Sequence, residues 1–160
     1  KGTSVMNVSS PRFAGLLSMV SGGALVAAGG AAWAAITRQL AAENITVPKD
    51  ADFLPGARVD GPVSAYAQAE VINRNARKAS GGRTYAEVSA LAFEAKASGD
   101  ADAAAQYEAQ RTTVMTASFL WASLFTSVLS YGVALMVAGI GTTMVVTGRA
   151  LSRLNAAPGR

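Results

Sequence analysis

The chain contains no cysteine and no histidine among its 160 residues. Without cysteine it cannot be a disulfide scaffold, even in an oxidising compartment. Without either residue it cannot build a zinc site of the common His/Cys type, a two-His-one-carboxylate iron site or a His-ligated haem. Ser-His-Asp and Cys-His nucleophile pairs are excluded on the same ground. Charge is also missing, but only locally. No Asp, Glu, Lys or Arg occurs from Phe13 to Thr37 or from Thr112 to Gly148, and all ten acidic residues lie between Glu43 and Glu108.

Two long charge-free stretches flanking one acid-bearing segment read as two membrane-spanning helices around an aqueous domain. The stretches hold about 25 and about 37 residues, or roughly 37 and 55 Å of helix at 1.5 Å per residue. Against a hydrocarbon core of about 30 Å, the first fits with modest tilt and the second overshoots. The polar shoulder of the second, Thr112, Thr113, Thr116 and Ser118, places the excess on the side of the central domain.

The net charge of +4 is not a nucleic-acid footprint. The ends carry Lys1, Arg12, Arg149, Arg153 and Arg160 with no acid, whereas the middle is close to neutral. Basic flanks beside spans put both termini in the cytoplasm and the middle outside. Signal-peptide apolar regions run to about 7–15 residues, so the longer first stretch reads as a retained anchor.

The first span is built from small residues. Gly23, Ala27, Ala31 and Ala35 form an i, i+4 ridge, and Ser130, Ala134, Ala138 and Thr142 repeat that spacing in the second. Such rows let helix backbones approach where lipid gives no hydrophobic drive for association, so these eight residues are the candidate helix-packing interface. Trp33 and Trp121 read as anchors in one interfacial aromatic belt on the outer side. Counted from those anchors, Tyr131 falls near the midplane, where Ser18 or Ser21 is a candidate partner for its hydroxyl.

Between the spans, residues 41–63 are irregular, with Ile45-Thr46-Val47 held extended ahead of Pro48. A helix follows from about Val63 to Ala79 and stops at Ser80-Gly81-Gly82. Thr84 and Glu87 have capping-box spacing for a second helix, with Val88, Leu91, Ala92 and Phe93 as its candidate buried residues. After Ser98-Gly99-Asp100, the run Ala101–Arg111 is positioned to join the second span as one long helix.

Little chemistry is available. The acids are scattered, and solvated helix faces account for them better than a glycosidase-like pair does. Gly29-Gly30, Gly81-Gly82 and Gly139-Ile140-Gly141 lack the strand, lysine and spacing of a phosphate loop. Neither charge-free stretch carries the ionisable group that an ion or proton path ordinarily shows.

The stretch Gln39–Val47, with Gly61-Pro62, Ala65–Ile72 and Gly82–Glu87, resembles an uncharacterised family of actinobacterial two-span membrane proteins. The similarity continues through Ala117-Ser118-Phe119-Leu120 and Ser123–Ser127 and covers most of residues 13–150. It implies two spans around a soluble segment. Some members are labelled aromatic ring-opening dioxygenases, but the resemblance brings no iron ligands and this chain has no histidine.

The expectation is therefore an all-α membrane protein, a two-helix hairpin with a small, mainly helical extracytoplasmic domain. Its parts are a cytoplasmic tail (1–12), a span (13–36), the outer domain (37–115), a second span (116–147) and a second cytoplasmic tail (148–160). No catalytic, cofactor or metal residue is assigned. The expected role is a non-catalytic accessory or structural subunit of a respiratory or envelope complex in the cell membrane. Its partners would be other integral membrane subunits and the bilayer, with no nucleic acid. The alternatives are a homo-oligomer, or an extracytoplasmic binding module using Tyr66, Tyr85, Arg74 and Arg77.

Overall fold

Helix formers dominate the chain, and its prolines among the described residues fall at helix starts or between helices, so the described residues are mostly helical. A computed structural model describes residues 11–154. Its elements are α1 (Pro11–Ala42), α2 (Pro62–Ala79), α3 (Tyr85–Ala97) and α4 (Ala101–Leu154). Of the two expected tails, 1–12 and 148–160, residues 1–10 and 155–160 lie outside the described residues. Both α1 and α4 contain stretches long and apolar enough to cross a membrane.

The first helix runs past the expected limit at residue 36, because Arg38-Gln39-Leu40-Ala41-Ala42 are good helix formers. It ends where Asn44 turns left-handed at φ 52°, with its side-chain amide donating to the Ala42 carbonyl at 3.2 Å. The Ala101–Arg111 run and the second apolar stretch form one helix, α4.

The chain divides into two compact units, residues 1–35 with 131–160, and residues 36–130. Each contains part of α1 and part of α4.

The 36–130 unit has a core of small aliphatic side chains. Val47, Val59, Ala65, Ala69, Val88 and Ala92 are almost completely buried. The irregular segment is pinned by backbone bonds: the Val47 and Val59 amides donate to the Ala57 and Ile45 carbonyls, both at 2.9 Å. A single antiparallel bridge, Thr46 with Arg58, marks the extended piece. The Arg58 guanidinium donates to the Ala41 carbonyl at 2.9 Å, and an Arg74–Asp52 ion pair ties the loop to α2.

Pro62 occupies the first turn of α2, where its missing amide costs nothing. Thr84 caps α3 as its spacing predicts. The Thr84 amide donates to Glu87 Oε2 at 2.7 Å and the Glu87 amide to Thr84 Oγ1 at 3.4 Å. The Thr84 amide foremost, and then the Thr84 hydroxyl donating to the same carboxylate oxygen at 2.8 Å, hold the Glu87 carboxyl below its ordinary range. Val88 and Ala92 are buried as expected, but Phe93 is exposed. One residue after Ala92, it is rotated about 100° around the helix, away from the core. Lys96 of α3 reaches Glu108 of α4 at 2.6 Å, with Arg111 joining at 2.8 Å, and Glu108 is likewise held low, chiefly by Lys96.

Candidate interaction sites

In the unit formed by residues 1–35 and 131–160, α1 and α4 run antiparallel with their backbones almost touching. A Cβ built on Gly22 would lie 2.5 Å from the Gly141 carbonyl oxygen, and one on Gly141 would lie 2.5 Å from that of Gly22. Gly15 and Gly148 repeat the arrangement, with the corresponding distances 2.8 and 2.5 Å, and a Cβ on Gly29 would lie 2.7 Å from the Ala134 carbonyl. Only a hydrogen fits at these glycines, and each is aimed at a carbonyl, the geometry of a weak Cα–H···O bond. The contacts recur every seventh residue on both helices, at 15, 22 and 29 against 148, 141 and 134. A seven-residue repeat, 3.5 residues per turn, is the period of a left-handed helix pair. The Ser18 hydroxyl adds a bond across the seam, donating to the Met144 carbonyl at 2.8 Å.

This is a different row from the one expected. Gly23 has open space around its Cβ position, and Ala27, Ala31 and Ala35 are exposed. On α4, Ala134 lies in the seam and Ala138 reaches it, 3.0 Å from the Gly29 Cβ position, but Thr142 is exposed. Ser130 falls in the other unit. The i, i+4 ridge and the heptad row share one helix but lie on different faces, and close backbone contact needs glycine rather than alanine. The sequence signal that finds the seam is the spacing Gly15, Gly22, Gly29 set against Gly141, Gly148.

The aromatic assignments change as well. Tyr131 is buried with its ring edge-on to Trp33, centroids 4.6 Å apart, so the two residues stand level along the helix pair rather than well separated along it. Ser18 is committed to Met144, thirteen positions along α4 from Tyr131. Trp121 belongs to the 36–130 unit, where it stacks on Phe125 with centroids 5.0 Å apart.

Outside the seam, the charge-free stretches of this unit present an apolar surface: Leu16, Leu17, Val20, Leu135, Met136 and Ile140 are all exposed. Hydroxyls among them turn inward, Thr142 donating to the Ala138 carbonyl at 2.8 Å and Thr143 to that of Ile140 at 2.7 Å. A polar group satisfied by its own helix carries no demand for water.

The four residues proposed for outer contact border three hollows of the 36–130 unit, and one of these, with Glu70, Asn73 and Lys78 on its wall, brings Arg74 and Arg77 together. Tyr66 and Arg74 border a small hollow with Asp52 and Phe53. Arg77 and Tyr85 border a cleft of about 520 Å³ between the α2–α3 turn and α4, with Arg83, Ser118 and Trp121 also on its wall. The Trp121 indole nitrogen is buried and meets no acceptor among the described residues. Neither Trp121 nor Arg83 stood out in the sequence as part of such a cleft, because a five-residue turn carries Arg83 back toward a helix that begins far along the chain. Among the described residues, no group of three or more metal-ligating side chains converges.

The chain matches no protein-family model, no curated protein and no solved structure.

Proposed function

We propose that this chain is a two-span integral membrane protein of the cell membrane, a non-catalytic subunit that docks a helix of another membrane protein against α1. Its termini are cytoplasmic and its 36–130 unit is extracytoplasmic. The observation that carries this reading is that α1 has two small-residue faces, and the described residues cover only one. Gly15, Gly22 and Gly29 are consumed by α4, whereas Gly23, Ala27, Ala31 and Ala35 are left open. A Gly/Ala face toward lipid forfeits van der Waals contact that a close-packed neighbour restores. The exposed apolar flanks support immersion, since a surface this apolar in water would aggregate. From Gly15 to Trp33, α1 rises about 27 Å, close to the hydrocarbon thickness.

Native purification with mass spectrometry tests the role. A different membrane protein in stoichiometric amount supports the subunit reading, and its loss in Ala27→Leu places the contact on this row. Self-association alone would replace the reading with a homo-oligomer. Topology is tested by cysteines at the exposed positions Lys49 and Arg153. A membrane-impermeant reagent on intact cells should label only Lys49→Cys, and labelling of Arg153→Cys alone inverts the model. A second reading, an outward-facing binding module, is favoured by the cleft around Trp121.

A further inference from the structure

We infer that this cleft binds a phosphate-bearing anion, with Arg77 and Arg83 as the cationic partners and the Trp121 indole N–H as a neutral donor. The inference deepens the binding-module reading and needs no partner subunit.

Three observations carry it. First, the charge is unspent. Among the described residues neither Arg77 nor Arg83 forms an ion pair, and Arg77 has only a 3.4 Å bond from Nε to Asn73 Oδ1. The acid whose charge Arg83 touches, Glu87, is turned onto the Thr84 amide and hydroxyl at 2.7 and 2.8 Å. Second, the buried Trp121 indole N–H lacks an acceptor, and an unsatisfied buried donor costs about 1–3 kcal/mol. An oxyanion that reached this donor would remove that cost, and guanidinium forks suit a phosphate.

Third, the turn's own backbone does not form the site. The Gly82 amide donates to the Arg77 carbonyl at 2.7 Å, and those of Gly81 and Arg83 donate to the Lys78 and Ser80 carbonyls at 3.3 Å. Gly81 and Gly82 adopt φ of 62° and 83° to close this turn, and the Ser80 hydroxyl fastens it to the Arg83 carbonyl at 2.7 Å. Recognition therefore falls to side chains held on a fixed turn.

Size narrows the ligand. A volume of about 520 Å³ lies within the usual range of an organic-ligand site and far exceeds a bare phosphate. The wall on α4 is mainly apolar, with Val114, Ala117 and Trp121, and its one hydroxyl, Ser118, donates to the Val114 carbonyl at 2.8 Å. A phosphoester with a small organic group fits both halves. Two sources share that chemistry, a soluble phosphoester and the headgroup of an anionic phospholipid.

The test uses the full chain carrying Trp33→Phe, which leaves Trp121 as the sole tryptophan. Its emission is followed during titration with glycerol 3-phosphate in detergent, then after transfer into phosphatidylcholine nanodiscs with and without phosphatidylglycerol. A saturable shift with glycerol 3-phosphate, weakened at least roughly tenfold by Arg77→Gln with Arg83→Gln, assigns the site to a soluble phosphoester. A shift that requires phosphatidylglycerol and is lost in the same double variant assigns it to a lipid headgroup. Arg38→Gln with Lys49→Gln removes equal charge elsewhere on the unit and should leave either response intact. No saturable shift with either probe, or equal loss in both double variants, overturns the proposal. The glycerol 3-phosphate titration does not depend on membrane insertion. A chain that gives that shift yet washes from membranes at alkaline pH would fail the membrane reading alone.

Discussion

The two units use small residues for opposite ends. In the 36–130 unit, Ala65, Ala69 and Ala92 are buried beside Val47, Val59 and Val88, and removal of apolar surface from water holds the fold. Ion pairs and helix caps occupy its surface. In the seam unit, the largest buried side chain is Tyr131, the glycines bring main chain against main chain, and the larger apolar residues face outward. One unit is organised by what it hides, and the other by how closely two backbones approach. The proposed membrane setting accounts for that difference, because burial gains nothing where the surroundings are as apolar as leucine.

The sharpest way to break the comparison is Gly22→Leu. Its Cβ would collide with the Gly141 carbonyl, which is backbone and cannot rotate away. We expect a loss of about 3 kcal/mol, the upper part of the overpacking range. It should appear as a lower melting temperature in detergent and as lost crosslinking between cysteines replacing Ser18 and Met144. Ala27→Leu, on the open face, should melt like the parent when the chain is purified alone. Equal damage from both would show that the two faces are not distinct.

Next in size is Val88→Ala, which opens a cavity in a fully buried position of the 36–130 unit. A cost of about 2 kcal/mol is expected, between typical Ile→Val and Leu→Ala losses. Hydrogen exchange should rise in α2 and α3, while amides flanking Gly22 and Gly141 stay protected. A uniform rise across both units would show that they unfold as one.

Thr84→Ala should cost about 1 kcal/mol by removing the α3 cap. Fraying at the start of that helix, read by faster exchange at Glu87 and Val88, is the expected signature.

Acid should separate the units with the smallest effect. Glu87 and Glu108 are held below their ordinary value in the folded chain. The stabilisation this brings is fully present above the unfolded carboxylate pKa of about 4.3, and is lost as pH falls through the folded values. The 36–130 unit should therefore weaken at low pH, and Glu108→Gln should flatten part of that dependence. The seam unit contains no Asp or Glu, so its melting should not follow the same titration.

Much of the architecture was legible along the chain because it depends on neighbours in sequence. The capping pair Thr84 and Glu87, the glycine stop after Ala79 and the break at Ser98-Gly99-Asp100 are local devices, each satisfied within a few residues. The charge-free runs likewise determine where long apolar helices stand, since no packing partner is needed to exclude charge. What tertiary structure decided is which face of each helix is used. Both the Gly23 row and the Gly22 row obey small-residue spacing, and only the meeting of two backbones at Gly141 selects between them. The same holds for Tyr131 and Trp121, whose surroundings include chain segments distant in sequence. Helix formation is a property of a local run of residues, whereas a close contact belongs to two surfaces at once, and one sequence position cannot specify its partner.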